Sequence, residues 1–204
     1  MGLCAACSRA VDAALTWRVA QIPIFTGWVY GGPLADWMKA QKFQGQSGDL
    51  RPWIEPMIRE LRDAVAPGDL LVPVAPHLER LVSRGRHLPD EIARHCGAAL
   101  GLSVSYSALI RVDRQPVRSQ FPEVEPEFTA QGVGNQRVWL IDDIVTTGTT
   151  LRQASAALQR IGADVQGAIC LADAKPLNTH PQRIPATRHP VAGSIKPPTA
   201  KKSA

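Results

Sequence analysis

Two hydrophobic periods alternate along the chain, and together they predict its elements. Leu34, Trp37, Met38 and Gln41 are spaced for one face of a short helix over 33–42. Ile54, Met57, Ile58, Leu61 and Val65 form the stripe of a longer helix over 50–66, which Pro67-Gly68 ends. Leu70 to Val74 is a continuous apolar run suited to a buried strand. A second amphipathic helix is expected over 89–101, closed by Gly101, followed by a strand over 104–110. Residues 113–136 hold three prolines and no sustained period, which predicts a long loop. Arg137 to Ile141 reads as a strand, 148–161 as a helix with Leu151, Ala154, Leu158 and Ile161 on one face, and 165–172 as the next strand. Strand, helix, strand in that order predicts a parallel sheet. The expected class is α/β: a parallel sheet flanked by helices, a small N-terminal hood and a disordered C-terminal tail. The expected division is a lead-in over 1–30, a domain over 31–174 and a basic tail over 175–204.

Composition changes this picture in three places. At 45% hydrophobic, 204 residues can fill a core. No run of about 18 apolar residues exists, so no membrane partner is expected, and the start of the chain lacks the pattern of a secretory signal. Four cysteines are too few and too scattered for a disulfide framework, which makes a reducing cytoplasm the expected location. The net charge of +5 is a property of the tail. Residues 175–204 carry six basic side chains and no acidic one, which leaves 1–174 at −1. Direct DNA binding therefore rests on the tail alone.

The chemistry concentrates in Val138 to Leu151, VWLIDDIVTTGTTL. An apolar strand delivers Asp142 and Asp143 to its C-terminal end, a Thr- and Gly-rich loop follows, and a helix begins near Thr149. Ligands of open parallel sheets bind beyond those strand ends. A helix N-terminus offers N–H groups and partial positive charge to a phosphate. Thr hydroxyls add donors, and Gly148 permits close approach of the backbone. The two carboxylates suit ribose hydroxyls, or the waters of a Mg²⁺ ion that neutralises a pyrophosphate. The plain alternative is a turn with an N-capping Thr and two solvated acids.

This segment resembles the phosphoribosyl pyrophosphate signature of type I phosphoribosyltransferases. The resemblance implies that Asp142 and Asp143 bind the ribose hydroxyls, as the catalytic acids. It implies that Thr146, Thr147, Gly148, Thr149 and Thr150 wrap the 5-phosphate. Thr146 stands where purine-salvage members often have an Asp, which argues against purine salvage. Across 28–174 the chain is also similar to the ComF family, which is linked to natural competence. Tyr30-Gly31, Lys42-Phe43-Gln44-Gly45, Val72-Pro73-Val74-Ala75-Pro76 and Arg84-Gly85-Arg86-His87-Leu88 carry that likeness. The family's Phe-Asn-Gln is replaced by Arg86-His87-Leu88. Its Arg-rich closing loop survives only as Arg111, Arg114 and Arg118.

By the same resemblance, backbone N–H groups of Val74, Ala75 and His77 contact pyrophosphate, with Arg80 and Arg84 as nearby cations. The alternative for both arginines is a solvated helix face. The implied activity is phosphoribosyl transfer from Mg²⁺-bound phosphoribosyl pyrophosphate to a nitrogen nucleophile. A non-catalytic phosphoribosyl-binding module working with competence proteins is the alternative. Lys42 could approach a phosphate or be a solvated helix-end residue.

Cys4 and Cys7 have the spacing of half a zinc site, the module ComF proteins carry here. No second pair follows, so a degenerate remnant is expected rather than bound zinc. Cys96 and Cys170 fall in apolar elements and read as core residues. Trp28, Trp37 and Trp53 read as packing residues, with base stacking the alternative for one of them. His87 and His95 are expected at the surface.

Overall fold

The computed structural model describes residues 13–19, 21–43, 48–78, 81–82, 86–112 and 127–174. Strands β1 (Ala13–Val19) and β2 (Pro23–Val29) come first, then helices α1 (Gly32–Phe43) and α2 (Arg51–Leu61). Strand β3 (Leu70–Pro73), helix α3 (Leu88–Leu100) and strands β4 (Ser103–Val104), β5 (Leu109–Val112) and β6 (Glu127–Ala130) follow. The chain then runs through β7 (Arg137–Val145), α4 (Thr149–Arg160) and β8 (Asp164–Asp173).

The main sheet has the order β1-β2-β8-β7-β3-β4. All its described pairings are parallel except β1 with β2. The class is α/β with helices on both faces, as the strand-helix-strand order predicts. Along β3, Leu71 enters one core cluster and Leu70 and Val72 the other. The first cluster packs the sheet against α1, α2 and α3 through Leu34, Met38, Ile54, Met57 and Ile92. The second packs it against α4 through Leu151, Ala154 and Leu158, and against the β5–β6 ribbon through Leu109 and Phe128. Both faces of the central strands are covered, which is why they read as unbroken apolar runs.

Five expectations change. The sheet begins at residue 13, before the expected boundary at 31, because β2 pairs with β8 and buries Ile24, Phe25 and Trp28. The single strand expected over 104–110 is two short ones: β4 pairs with β3, and β5 leaves the sheet to pair with β6. The long loop expected over 113–136 contains β6, whose Phe128 is buried. The strand expected to stop at Ile141 runs to Val145, held by β8 through Ile144↔Ala172 and Val145↔Asp173. The helix expected over 50–66 stops at Leu61, with Arg62 as its C-cap, before the Pro67-Gly68 break. The end of α3 is as expected: Gly101 caps it in the left-handed region at φ 70°, which glycine adopts without a Cβ penalty.

The tryptophans pack. Trp28 and Trp53 meet edge to face at 5.7 Å, and the Trp28 indole N–H donates to the Trp53 carbonyl at 2.8 Å. Trp37 lies against Trp53 with the rings tilted by 45° and their centroids 5.9 Å apart. No helix among the described residues is long and apolar enough to cross a membrane.

Candidate functional site

Because β3 and β7 are parallel neighbours, the turns that follow them emerge at the same sheet edge. A cleft of about 270 Å³ opens there. Its floor and walls bring together Val74, Ala75, Pro76 and His77 after β3 with Asp142, Asp143 and Ile144 of β7 and Thr150 of α4. These stretches lie some 70 residues apart in sequence.

Two adjacent strand residues ordinarily face opposite sides of a sheet. Here both acids line one cleft. Trp139 and Ile141 enter one cluster and Val138 and Leu140 the other, while Ile144 packs with the first and Val145 with the second. Strict alternation thus does not carry past the acids, although the register with β8 is unshifted from Trp139 to Val145. The Asp143 N–H donates to Asp142 Oδ1 at 2.8 Å, within the pair itself. Both carboxylates line the cleft at the end of β7 while the strand stays paired to β8.

The loop into α4 is a glycine cap. Gly148 is the N-cap residue at φ 77° and makes no side-chain cap hydrogen bond, while the Thr149 N–H at the start of the helix donates to Thr147 Oγ1 at 3.4 Å. Thr147 Oγ1 lies 3.1 Å from Thr149 Oγ1. Thr146 and Thr147 are exposed, and Gly148, Thr149 and Thr150 are partly so. No acidic residue occupies the first turn of α4, so the positive end of its dipole is not offset there.

One expected donor is lost. The Val74 N–H continues the ladder and donates to the Ile141 carbonyl at 2.9 Å, so it does not point at a ligand. Val74 lines the cleft as an apolar side chain and fixes the loop to the strand that carries the acids. Backbone pairing continues one residue past β3, to the last residue of the apolar run, and so takes this N–H away from the loop.

The opposite wall comes from α1 and the start of α3: Gln41, Arg86, His87, Leu88, Pro89 and Glu91. Arg86 grips Glu91 through both sides of its fork, Nε and NH2 each at 2.8 Å, and its NH1 reaches Gln41 Oε1 at 3.4 Å. His87 was expected at the surface. Its side chain is only 12% exposed, its Nδ1 lies 2.9 Å from Asp90 Oδ1, and it lines the cleft. The stretch Arg86-His87-Leu88 thus forms part of a wall of the cleft. Arg111 of β5 also lines it, donating from Nε to the Ala75 carbonyl at 3.0 Å. No sequence period marked this wall, since its members come from three elements whose meeting is tertiary.

His95 is half-buried, and desolvation, reinforced by the Arg94 charge, lowers its pKa. Burial pushes the Cys96 thiol up to about 12, as suits an inert core cysteine, and Cys170 is also buried. Cys4, Cys7, Arg80, Arg84, Arg114, Arg118, the Lys42 side chain and the tail lie outside the described residues.

No family model matches the chain. It is 43% identical over 99 residues to an orotate phosphoribosyltransferase of Nocardioides sp., a match taking in 46% of this chain and 55% of that protein. The chain thus spans about half the length of the curated relative it matches. A purine phosphoribosyltransferase from Pyrococcus horikoshii aligns at 19% identity over 61% of this chain and 73% of its own, with a TM-score of 0.40. An adenine phosphoribosyltransferase from Leishmania tarentolae aligns at 16% identity over 78% of this chain and 94% of its own, with a TM-score of 0.38. The relative found by sequence, to which 99 residues of this chain are similar, is a phosphoribosyltransferase.

Proposed function

We propose that the cleft binds phosphoribosyl pyrophosphate, carried as its Mg²⁺ complex, and transfers the phosphoribosyl group to a nitrogen nucleophile. The observation that carries this reading is the convergence of Asp142, Asp143, Thr150 and the 74–77 loop on one cleft at the C-terminal edge of a parallel sheet. Asp142 and Asp143 accept hydrogen bonds from the ribose hydroxyls. The loop from Thr146 to Thr150 and the first turn of α4 hold the 5-phosphate. Backbone N–H groups of Ala75 and His77 face the pyrophosphate, with Arg80 and Arg84 as supporting cations. In the reaction the bond from the anomeric carbon to the pyrophosphate oxygen breaks, and its electron pair leaves with pyrophosphate. A nitrogen lone pair forms the new bond to that carbon. The protein contributes position and neutralises charge on the leaving group.

The orotate enzyme among the relatives makes orotate the first acceptor to try, before purine bases and simple amines. Calorimetry with phosphoribosyl pyrophosphate and Mg²⁺ should give saturable heat. Asp142→Asn/Asp143→Asn should weaken affinity more than about tenfold, since each hydrogen bond to a charged acceptor contributes roughly 1.5–3 kcal/mol. Equal affinity in the double variant would refute the ribose assignment. Pyrophosphate release with one of these acceptors identifies the transferase.

A second reading is a non-catalytic phosphoribosyl-binding module beside DNA-uptake machinery, in keeping with the ComF-like stretches. It is favoured by the commitment of Arg86 to Glu91 within the cleft wall. Its signature is ligand heat without pyrophosphate release for any acceptor.

A further inference from the structure

The wall built by α1 and the start of α3 carries its charges in matched pairs. Arg86 donates from Nε and NH2 to the two carboxylate oxygens of Glu91, each at 2.8 Å, and from NH1 to Gln41 Oε1 at 3.4 Å. Every nitrogen of the guanidinium therefore already has an acceptor. Gln41, only 8% exposed, backs it through the amide oxygen. A fork of this kind leaves no loose cation in the wall. His87 Nδ1 lies 2.9 Å from Asp90 Oδ1, so a charge on that ring is matched as well. What the wall still offers is lone pairs. Each Glu91 oxygen accepts once from Arg86 and has room for a further donor, and a quarter of the side chain stays exposed where it lines the cleft. Arg111 donates to the Ala75 carbonyl and so belongs to the side of the 74–77 loop. Across the described lining two guanidiniums face three carboxylates, those of Glu91, Asp142 and Asp143.

We propose that this wall is the acceptor side of the cleft, and that it selects an uncharged nitrogen heterocycle bearing an N–H donor over an anionic one. The proposal rests on the reading of the cleft as a phosphoribosyl pyrophosphate site. The acids, the 146–150 loop and the 74–77 loop are then taken up by ribose, 5-phosphate and pyrophosphate, and this wall is what remains for the acceptor. An uncharged ring donates its N–H to a remaining lone pair of Glu91 while the Arg86 fork stays closed. A ring nitrogen's lone pair makes the bond to the anomeric carbon, pyrophosphate leaves with the electron pair of the broken bond, and the proton the ring sheds passes to water. An anionic acceptor meets the Glu91 carboxylate, the acids of β7 and the ligand's own phosphates. It can claim Arg86 only by opening the pair, which strands Glu91 without its partner. Uracil and orotate differ by one carboxylate, so the wall separates them although their rings are alike.

Nucleotides test the wall, because the ribose 5-phosphate anchors both members of a pair and only the base differs. Calorimetry with the full chain compares uridine monophosphate with orotidine monophosphate, and nicotinamide mononucleotide with nicotinic acid mononucleotide. In both pairs the uncharged base should bind at least about tenfold more tightly. Raising the salt from about 0.05 M to about 0.5 M should narrow the gap, since screening weakens charge repulsion. Glu91→Gln removes the repelling carboxylate and frees one arm of Arg86. Its preference should shrink to about threefold or less, or turn toward the anionic base. The salt series on the wild type carries the test if the variant does not fold. Equal or tighter binding of the anionic bases by the wild type would overturn the proposal, as would an unchanged ratio in folded Glu91→Gln. Binding of phosphoribosyl pyrophosphate without binding of any nucleotide would overturn the acceptor wall and leave the phosphoribosyl pyrophosphate site standing. Absence of heat with phosphoribosyl pyrophosphate itself would overturn the reading beneath it.

Discussion

Asp69 offers the sharpest test of how the fold delivers the site. It precedes β3 and is only 1% exposed. Its Oδ1 accepts from Arg137 Nε at 2.7 Å, and its Oδ2 accepts from the Trp139 indole N–H at 2.8 Å and from the Ala66 N–H at 2.9 Å. A buried carboxylate is tolerable because three donors share its charge. The same contacts pin the start of β3 to β7 in the register Leu70↔Val138. That register carries Val74 and Asp142 to one cleft four residues later. Asp69→Ala strips all three donors of their acceptor. The Trp139 indole is buried, and an unsatisfied buried donor costs about 1–3 kcal/mol. The Ala66 N–H adds a similar cost. Arg137 is 41% exposed and can turn to water, so its lost ion pair counts for under about 1 kcal/mol. The expected total is about 3 kcal/mol. Urea unfolding should show a lower midpoint with an unchanged slope, and thermal unfolding should show a fall of roughly 5–12 °C for a chain of this size. A loss below about 1 kcal/mol would refute the argument. So would full stability accompanied by loss of phosphoribosyl pyrophosphate binding, since the lock acts on the site only through the strand register.

Two further predictions follow from local geometry. Gly148 sits at φ 77°, and its missing Cβ would find only ordinary contacts with Ile24 and Val145, so Gly148→Ala isolates backbone strain. It should cost about 1–2 kcal/mol by urea unfolding and weaken phosphoribosyl pyrophosphate binding, and unchanged values in both would show that the left-handed cap is not required. For His95, burial and then Arg94 lower the folded pKa, so the unfolded chain binds more protons as pH drops through the ordinary histidine range. The stability its neutral form contributes is present at pH 7.5 and declines on acidification, so His95→Gln should flatten the change in urea midpoint between pH 7.5 and 5.5. An equally steep change in the variant would sink that assignment.

The sequence made the helices and central strands legible because each buries a regular face. The stripe Ile54, Met57, Ile58 and Leu61 is a helix whatever surrounds it, and Leu70 to Val72 has nowhere to go but between two covered faces. What escaped notice was set by partners distant in the chain. β2 is a strand because β8 offers it an edge, and β6 is one because Phe128 fits under α4 beside β5. The acid-Thr segment was legible as chemistry because its residue types have few joint uses. The Arg86–Glu91 wall was not, because an arginine and a glutamate five residues apart are commonplace until Gln41 and His87 are folded around them.

The end of β7 ties these observations together. Asp142 and Asp143 both line the cleft, although adjacent residues of a regular strand face opposite sides. Extending β7 to Val145 keeps Val145 in the core beside Leu151, just past both carboxylates. The strand end and the helix cap then act as one unit. Val145 anchors the exit from the sheet, Gly148 turns the chain at an angle other residues resist, and α4 starts with its N–H groups at the same edge as the acids. The proposed ligand calls for carboxylates near its hydroxyls and N–H groups near its phosphate, opposite polarities close together. A strand end feeding directly into a glycine-capped helix offers both within nine consecutive residues, Asp142 to Thr150.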